Sequence, residues 1–403
     1  MESYNNQISL QPNITNDKTA EDPAVLSDEK IKKQPLYKRI IKSKFFSKKM
    51  KLLIWVFIGS LMVYILSRFS SDFAEVWTRY PAQGLRFALA MLTNLIPFSL
   101  AEVLLLSIPI FAIGYIIASN VATKKDESDE TFFKWTRPLV SVFLIIFIIL
   151  FTAFAPAYNR YKLAKNLGLE QEPVTKNDLV QTGIILTNLV KNDLQDITFD
   201  SAGSSVMPYD YYTLSKKLNQ AYKSYAAKES YISHFYSNPK PIALSKPMLY
   251  THISGVYTFM TGESNVNTQY PDFLMPFTMA HEMAHQRGIA REDEANFVAF
   301  LVCINSDDSY IRYSGYANLI NYMTSAIANA DNEAFKSFSL NYVPKEVLGE
   351  FIAYSTFFDK YRDSVASDIT GAVNDVFLQS QGQSAGIKSY GLVVDLAVAY
   401  FKE

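Results

Sequence analysis

The residues best suited to chemistry lie in His281-Glu-Met-Ala-His285, which contains two of the four histidines of the chain. Histidines four residues apart lie one above the other on one face of a helix. Two imidazoles in this arrangement can bind one zinc ion, and an adjacent glutamate can act as general base on a water at the metal. The pattern therefore predicts a zinc centre with His281 and His285 as ligands and Glu282 as the catalytic base.

A catalytic zinc site of this kind needs a third protein ligand. In the pattern His-Glu-x-x-His-x-x-Gly-x-x-His the third ligand would stand at position 291, which is an arginine and cannot bind zinc. Two glutamates follow it. We expect Glu292 to be the ligand, because a turn at Gly288 can fold the next helix back onto the first. Glu294 remains the alternative, and either acid can also be a solvated residue favoured by the helix dipole.

The elements that must position these residues are mostly helical. Apolar residues at three- and four-residue spacing predict helices in residues 160–403, whereas short β-branched or aromatic runs bounded by Pro, Gly and Asn predict strands. The predicted helices cover 178–190, 214–225, 277–287, 291–303, 315–330, 345–368 and 386–401, and the strands 242–244 and 253–260. The second strand is a candidate edge for a peptide substrate. The candidate donors to a developing oxyanion are His252, Arg312, Tyr313 and Tyr390.

Composition excludes several classes of protein. With 49% hydrophobic and 19% charged residues, the chain is too apolar for an ordinary soluble protein. Its one cysteine excludes a disulfide scaffold or a thiolate zinc site. A net charge of −1 offers no basic field, so we expect no nucleic-acid partner.

The apolar excess is concentrated ahead of residue 160. Three runs without a charge cover 52–67, 103–123 and 138–159. About 20 apolar residues cross a bilayer, and flanking basic side chains can extend a shorter run. We therefore predict three transmembrane helices within a membrane region at 52–159, and a lipid bilayer as the partner of this region.

The distribution of basic residues predicts the orientation. Residues 30–51 contain ten Lys or Arg and no acid, which favours a cytoplasmic N-terminus in a multi-pass protein of the cell membrane. Residues 1–51 are predicted to form a disordered, basic cytoplasmic tail, and three crossings place residues 160–403 outside the cytoplasm. The uncharged stretch 87–101 is interpreted as interfacial or re-entrant; if it also crosses, the C-terminal domain lies inside.

Two resemblances extend this interpretation. Glu292-x-x-Ala295-Asn296 resembles the third-ligand helix of glutamate zincins, which implies Glu292 as ligand and Asn296 as a neighbour that orients a histidine or the carboxylate. Residues 281–301 also resemble the bacterial domain-of-unknown-function family 3810. The resemblance continues through Thr261–Asn267, Leu274–Phe277, Tyr310–Tyr316 and Gly386–Asp395.

Family 3810 implies N-terminal spans followed by a His-Glu-x-x-His domain. We thus expect a mainly α protein in which transmembrane helices precede a helical, zincin-like domain with a small sheet at 160–403. The expected function is zinc-dependent hydrolysis of a peptide or protein substrate. The alternative is a membrane-anchored receptor or scaffold with a structural or vestigial metal site; Glu282 argues against it, because a structural site needs no base.

Overall fold

The computed structural model describes only part of the N-terminal region. The described residues are 35, 38, 44–126 and 128–402. Most of the predicted tail at 1–51 therefore lies outside the described residues. The chain divides into two compact units, Met1–Leu52 with Gly114–Ser141, and Leu53–Ile113 with Val142–Glu403. The second unit contains the candidate site.

Five α-helices precede residue 160 within the described residues. They are α1 (Lys48–Phe69), α2 (Ser71–Arg79), α3 (Pro81–Asn94), α4 (Leu100–Lys125) and α5 (Asp129–Ile149). A π turn (Leu150–Phe154) and a 3-10 helix (Ala155–Asn159) continue α5. The helices α1, α4 and the extended α5 are long and apolar enough to cross a membrane. Each of the three predicted spans lies within one of them, which indicates a membrane protein.

The segment between the first two of these helices packs on the C-terminal part of the chain. It forms α2 and α3, so the stretch predicted to be interfacial at 87–101 comprises the second half of α3, a turn and the start of α4. Thr78 and Arg86 are buried, whereas Leu92 and Leu95 are exposed.

Residues 160–402 are mainly helical. Their α-helices are α6 (Leu163–Leu167), α7 (Lys176–Leu194), α8 (Tyr211–Ala226), α9 (Ser245–Met248), α10 (Leu274–Gln286), α11 (Glu292–Ile304), α12 (Ser309–Ala330), α13 (Asn332–Asn341), α14 (Lys345–Phe358), α15 (Val365–Ser380) and α16 (Val393–Lys402). Short 3-10 helices occupy Leu249–Thr251, Asp359–Tyr361 and Gly386–Leu392. The centre of the core lies between α10, α11 and α12, where Met283, Phe297 and Met323 are fully buried.

A three-stranded sheet lies against α10. Its strands are β1 (Lys240–Pro241), β2 (Gly255–Thr258) and β3 (Glu263–Val266), in the order β1-β3-β2. The central strand β3 is parallel to β1 and antiparallel to β2. Among the described residues β2 is therefore an edge strand, as the sequence predicted for 253–260.

Two local predictions are wrong. No helix runs through 345–368: α14 ends at Phe358, and α15 starts after Ser364, whose backbone is extended. Asp363 and Ser364 compete for nearby backbone groups and favour helix boundaries over helix interiors. The strand predicted at 242–244 is also absent, because the chain turns into α9 directly after β1. The helix predicted at 386–401 is 3-10 up to Leu392 and α-helical from Val393.

Buried arginines connect the segment before residue 160 to the end of α10. Arg160 forms a two-point ion pair with Glu75 of α2 (2.9 and 2.8 Å) and donates to the Gly288 and Tyr231 carbonyls (3.1 and 3.0 Å). Arg86 of α3 donates to the Ala153 and Thr78 carbonyls (2.7 and 2.8 Å). A guanidinium near the carbonyl end of a helix is also favoured by the helix dipole.

The Glu75 carboxylate is held ionised in this cluster. Burial alone would raise its pKa, but hydrogen bonds and charges from Arg160 and Arg79 outweigh burial and keep the pKa below its usual value. The pair therefore stabilises the fold at neutral pH, and this contribution is lost as the pH falls through the lowered pKa.

Replacing Arg160 by Met should destabilise the full chain clearly. The buried Glu75 carboxylate then keeps Arg79 as its charged partner but loses the two-point pair, and the Gly288 and Tyr231 carbonyls lose a donor, at a cost of up to about 3–5 kcal/mol. We expect a lower Tm for Arg160→Met in detergent micelles by tryptophan fluorescence. Lys336→Met, which removes an exposed ion pair with Glu333, is the control and should leave Tm unchanged. Equal melting temperatures for both variants would contradict the assigned role of Arg160.

Candidate metal centre

The histidines of α10 and the first residue of α11 meet in one buried cluster. Nε2 of His281 lies 3.2 Å and Nε2 of His285 lies 3.4 Å from Oε2 of Glu292, and the two nitrogens are 3.0 Å apart. One donor atom from each residue lies within 4.8 Å of the others. Four tetrahedral ligands about 2.05 Å from zinc are separated by about 3.3 Å. The spacing of these donors therefore fits a zinc ion.

A sharp turn after α10 produces this cluster. The amides of Gly288 and Ile289 donate to the carbonyls of His285 and Ala284 (3.0 and 3.1 Å), and Gly288 has φ +89°. These bonds form a Schellman motif, which favours glycine at this position. A Cβ at Gly288 would also lie 2.5 Å from Nη2 of Arg86. Only glycine fits both constraints, and the reversal brings Glu292 back over the histidines.

The same turn orients one imidazole. Nδ1 of His285 lies 2.7 Å from the Ile289 carbonyl and must donate the hydrogen bond, because a carbonyl oxygen only accepts. When the ring is neutral, as it must be to bind a metal, its unprotonated nitrogen is Nε2, which faces His281 and Glu292. This is the tautomer that a metal ligand needs.

The electrostatics of the cluster favour a positive charge among its donors. Burial would lower the pKa of His285, but the Glu292 carboxylate outweighs burial and raises the pKa to about 9. Burial would raise the pKa of Glu292, but the histidines hold it well below its usual value. A buried cluster that attracts a proton in this way is also suited to a cation.

Glu294, the alternative ligand, points elsewhere. Its Oε1 accepts from the Leu163 amide (2.9 Å) and lies 3.5 Å from Nε of Arg291. Burial and the neighbouring Asp293 raise its pKa. Of the two glutamates that the sequence left open, the structure thus brings Glu292 to the histidines and gives Glu294 a separate set of contacts.

Glu282 lies between the cluster and the edge strand. A Cβ on Gly255, the first residue of β2, would be 2.6 Å from Oε1 of Glu282. The Tyr257 amide donates to the Glu282 carboxylate, and within the described residues Oε2 has no hydrogen-bond partner. Burial raises the pKa of Glu282, and the nearby histidines oppose this. Gly255 was not singled out by the sequence, because the contact joins residues 27 positions apart.

A cavity of about 490 Å³ opens beside Glu282 and His281. Apart from Glu282 and two histidines, the described residues that line it carry no formal charge. The neutral lining includes Tyr270, Asn296, Asn318, Asn321, Tyr322, Tyr354, Thr370 and Asn374. Tyr322 forms a hydrogen bond with Asn296 and lies near the charge of Glu292, and burial raises its pKa. Sequence periodicity gave no signal for Tyr322, since tyrosine is frequent throughout the chain.

The structure separates the candidate oxyanion donors. His252 lines the cavity in a left-handed conformation (φ 54°), with Nε2 2.8 Å from the Tyr361 carbonyl. Tyr313 is buried and bonds Glu350 (2.9 Å), and Arg312 pairs with Asp193, so both have other partners. The side chain of Tyr390 lies outside the described residues.

The comparison with known proteins identifies one family. A family model described as Protein of unknown function (DUF3810) matches residues 79–398. No curated protein and no solved structure matches the chain. The matched segment includes the cluster, the cavity and the buried arginines.

The assignment of Glu292 can be tested against its neighbour. Glu292→Gln should weaken zinc affinity at least about 100-fold, because the amide removes the anionic donor. The matched control is Glu294→Gln, which can still accept from the Leu163 amide. The zinc affinity of both variants would be measured by their zinc content and by competition with a chelator. Greater loss of zinc from Glu294→Gln would contradict the assignment.

Proposed function

We propose that this chain, which belongs to the DUF3810 family, is a membrane-anchored, zinc-dependent peptidase with a zincin-like domain. The convergence of His281, His285 and Glu292 at tetrahedral spacing, with the Glu282 carboxylate beside them, carries this proposal. The domain lies outside the cytoplasm in this proposal. The basic residues before α1 favour that orientation.

His281, His285 and Glu292 would hold the metal and leave one coordination position for the reaction. Zinc in such a site lowers the pKa of water toward about 7 and polarises a carbonyl. Glu282 accepts the proton of the attacking water and later delivers it to the leaving amine. Its carboxylate is positioned for this by the Tyr257 amide and by contact with Gly255.

The edge strand supplies backbone groups for a peptide. The Asn267 amide donates to the Ser254 carbonyl (2.8 Å). By the alternation of an antiparallel ladder, the backbone of Val256 and Thr258 then faces β3, while that of Gly255 and Tyr257 faces the open edge. The Tyr257 amide is already used by Glu282. A substrate strand can pair with the Gly255 groups and the Tyr257 carbonyl, which holds its scissile bond next to Glu282.

The remaining cavity wall suits a peptide. Its asparagine, threonine and tyrosine side chains match the amide groups of a polypeptide without requiring a charged residue. Tyr322 is the candidate donor to the substrate carbonyl oxygen, because it lines the same cavity as His281 and lies close to the charge of Glu292. Its hydroxyl would stabilise the negative charge that develops there.

Glu282→Gln should abolish peptide hydrolysis while zinc remains bound, since the amide cannot accept the proton. Gly255→Ala should also lower kcat, because the new Cβ displaces the Glu282 carboxylate. The full chain in detergent would be assayed with zinc on a fluorogenic peptide library. Gly371→Ala, which adds a Cβ at another residue that lines the cavity but has nothing within 4 Å of it, is the matched control. Stoichiometric zinc without hydrolysis of any peptide would instead support a structural metal site.

Tyr322→Phe should lower kcat by about 100-fold or more while KM and zinc content change little. This pattern is expected when a hydrogen bond forms mainly in the transition state. Tyr354→Phe, at another tyrosine that lines the cavity, serves for comparison. An unchanged kcat for Tyr322→Phe would remove this residue from the mechanism.

A further inference from the structure

The edge strand leads from the catalytic glutamate to the helices that cross the membrane. Gly255 at one end of β2 contacts Glu282, and Thr258 at the other end pairs with Glu263. The Glu263 carboxylate accepts from the first amides of α4, those of Leu100 and Ala101 (3.1 and 2.9 Å). Three residue steps at about 3.4 Å make this path about 10 Å long.

The end of the third apolar helix lies at the same place. The Phe154 ring packs against Tyr257 of β2 and against Phe259 just after it, with centroids 5.4 and 6.1 Å away. It also approaches His285 edge-on at 6.4 Å. The candidate metal centre is therefore in direct contact with the end of an apolar helix.

Helix α15, which lines the cavity, has its polar side chains on the cavity side and its aliphatic side chains on the exposed side. Ser367, Thr370, Gly371 and Asn374 line the cavity. On the opposite face Val365, Ile369, Val373 and Val376 are 72%, 61%, 66% and 68% exposed. An ordinary surface helix presents the reverse pattern. A continuous apolar stripe on the outside indicates an apolar environment rather than water.

The position of α15 identifies this environment. Phe377 packs on Tyr158 at the end of the third apolar helix (6.3 Å), and Leu378 is buried in the cluster of Phe154 and Tyr158. The C-terminal part of α15 therefore packs against the end of a helix that is long and apolar enough to cross a membrane. A lipid surface can cover four exposed aliphatic residues at this position.

We propose that the substrate is a polypeptide that is anchored in the membrane and is cleaved a few residues from the lipid. The apolar stripe of α15 lies in the membrane interface. This inference rests on the proposed peptidase function. A substrate strand antiparallel to β2, which is the commoner pairing, has its N-terminal side at Thr258 and thus at the membrane. The anchor therefore lies N-terminal to the scissile bond, and about four residues separate the two.

The test uses the zinc-loaded full chain in phosphatidylcholine nanodiscs. The probes are one degenerate fluorogenic octapeptide library in three forms: untethered, palmitoylated at its N-terminus, and palmitoylated at its C-terminus. Gly-Ser spacers of 0, 4, 8 and 20 residues separate lipid and library. We expect the N-terminal tether with a short spacer to be cleaved at least about 10-fold faster than the 20-residue spacer or the C-terminal tether.

Each outcome has a separate meaning. Equal cleavage rates for both lipid tethers at every spacer length would show that the lipid only concentrates the peptide at the membrane. This result would overturn the inference, while the peptidase proposal would stand. A preference for the C-terminal tether would overturn the antiparallel arrangement and the position of the anchor. No cleavage of any library by zinc-loaded protein would overturn the peptidase function and this inference with it.

A variant of the stripe separates lipid contact from a contact between copies of the chain. Replacing Val365, Ile369, Val373 and Val376 with Gln keeps helix-forming residues. It should abolish the preference for the short N-terminal tether and leave hydrolysis of the untethered library unchanged. Leu340→Gln, at an 82% exposed position of α13, is the control. Conversion of a dimer to a monomer by the stripe variant, or an unchanged preference, would overturn the lipid role of α15.

Discussion

The reversal of the chain at Gly288 controls the distance between the histidines of α10 and the carboxylate of α11. Only six residues separate His285 from Glu292, so one tight turn must end the first helix and start the second. The hydrogen bonds of this turn also fix the His285 ring through the Ile289 carbonyl. The position of the Glu292 carboxylate and the tautomer of His285 therefore depend on the same few backbone atoms, which explains why a short segment can form most of a candidate metal centre.

The turn is held by side chains from outside α10 and α11. Arg86 fills the space where a larger residue at Gly288 would lie, and Arg160 donates to the Gly288 carbonyl while paired with Glu75. Buried cations are tolerated only where charges or carbonyl oxygens satisfy them. The geometry of the cluster thus depends on the docking of α2 and α3, which lie between two helices that are long and apolar enough to cross a membrane.

The central strand β3 links the sheet to α10 on one side and to the start of α4 on the other. Ser264 donates to the Glu282 carbonyl (2.9 Å), Glu263 caps the start of α4, and Ser99 donates to Asn265 (2.7 Å). The strand is fully buried although three of its four residues are polar. Each polar side chain has a partner distant in sequence, which offsets the cost of burial.

The sequence by itself determined the features that depend on short-range patterns. These are the His-Glu-x-x-His helix, three apolar spans, most helices of the C-terminal domain, family membership and the preference for Glu292. Four features were established only by the tertiary structure. They are strand β3, the contact of Gly255 with Glu282, and the places of Tyr322 and of α15 in the lining of the cavity. Periodicity reports which face of an element is apolar. It cannot report which distant partner satisfies a buried polar strand or which surface covers an apolar stripe, since both depend on contacts between segments far apart in the chain.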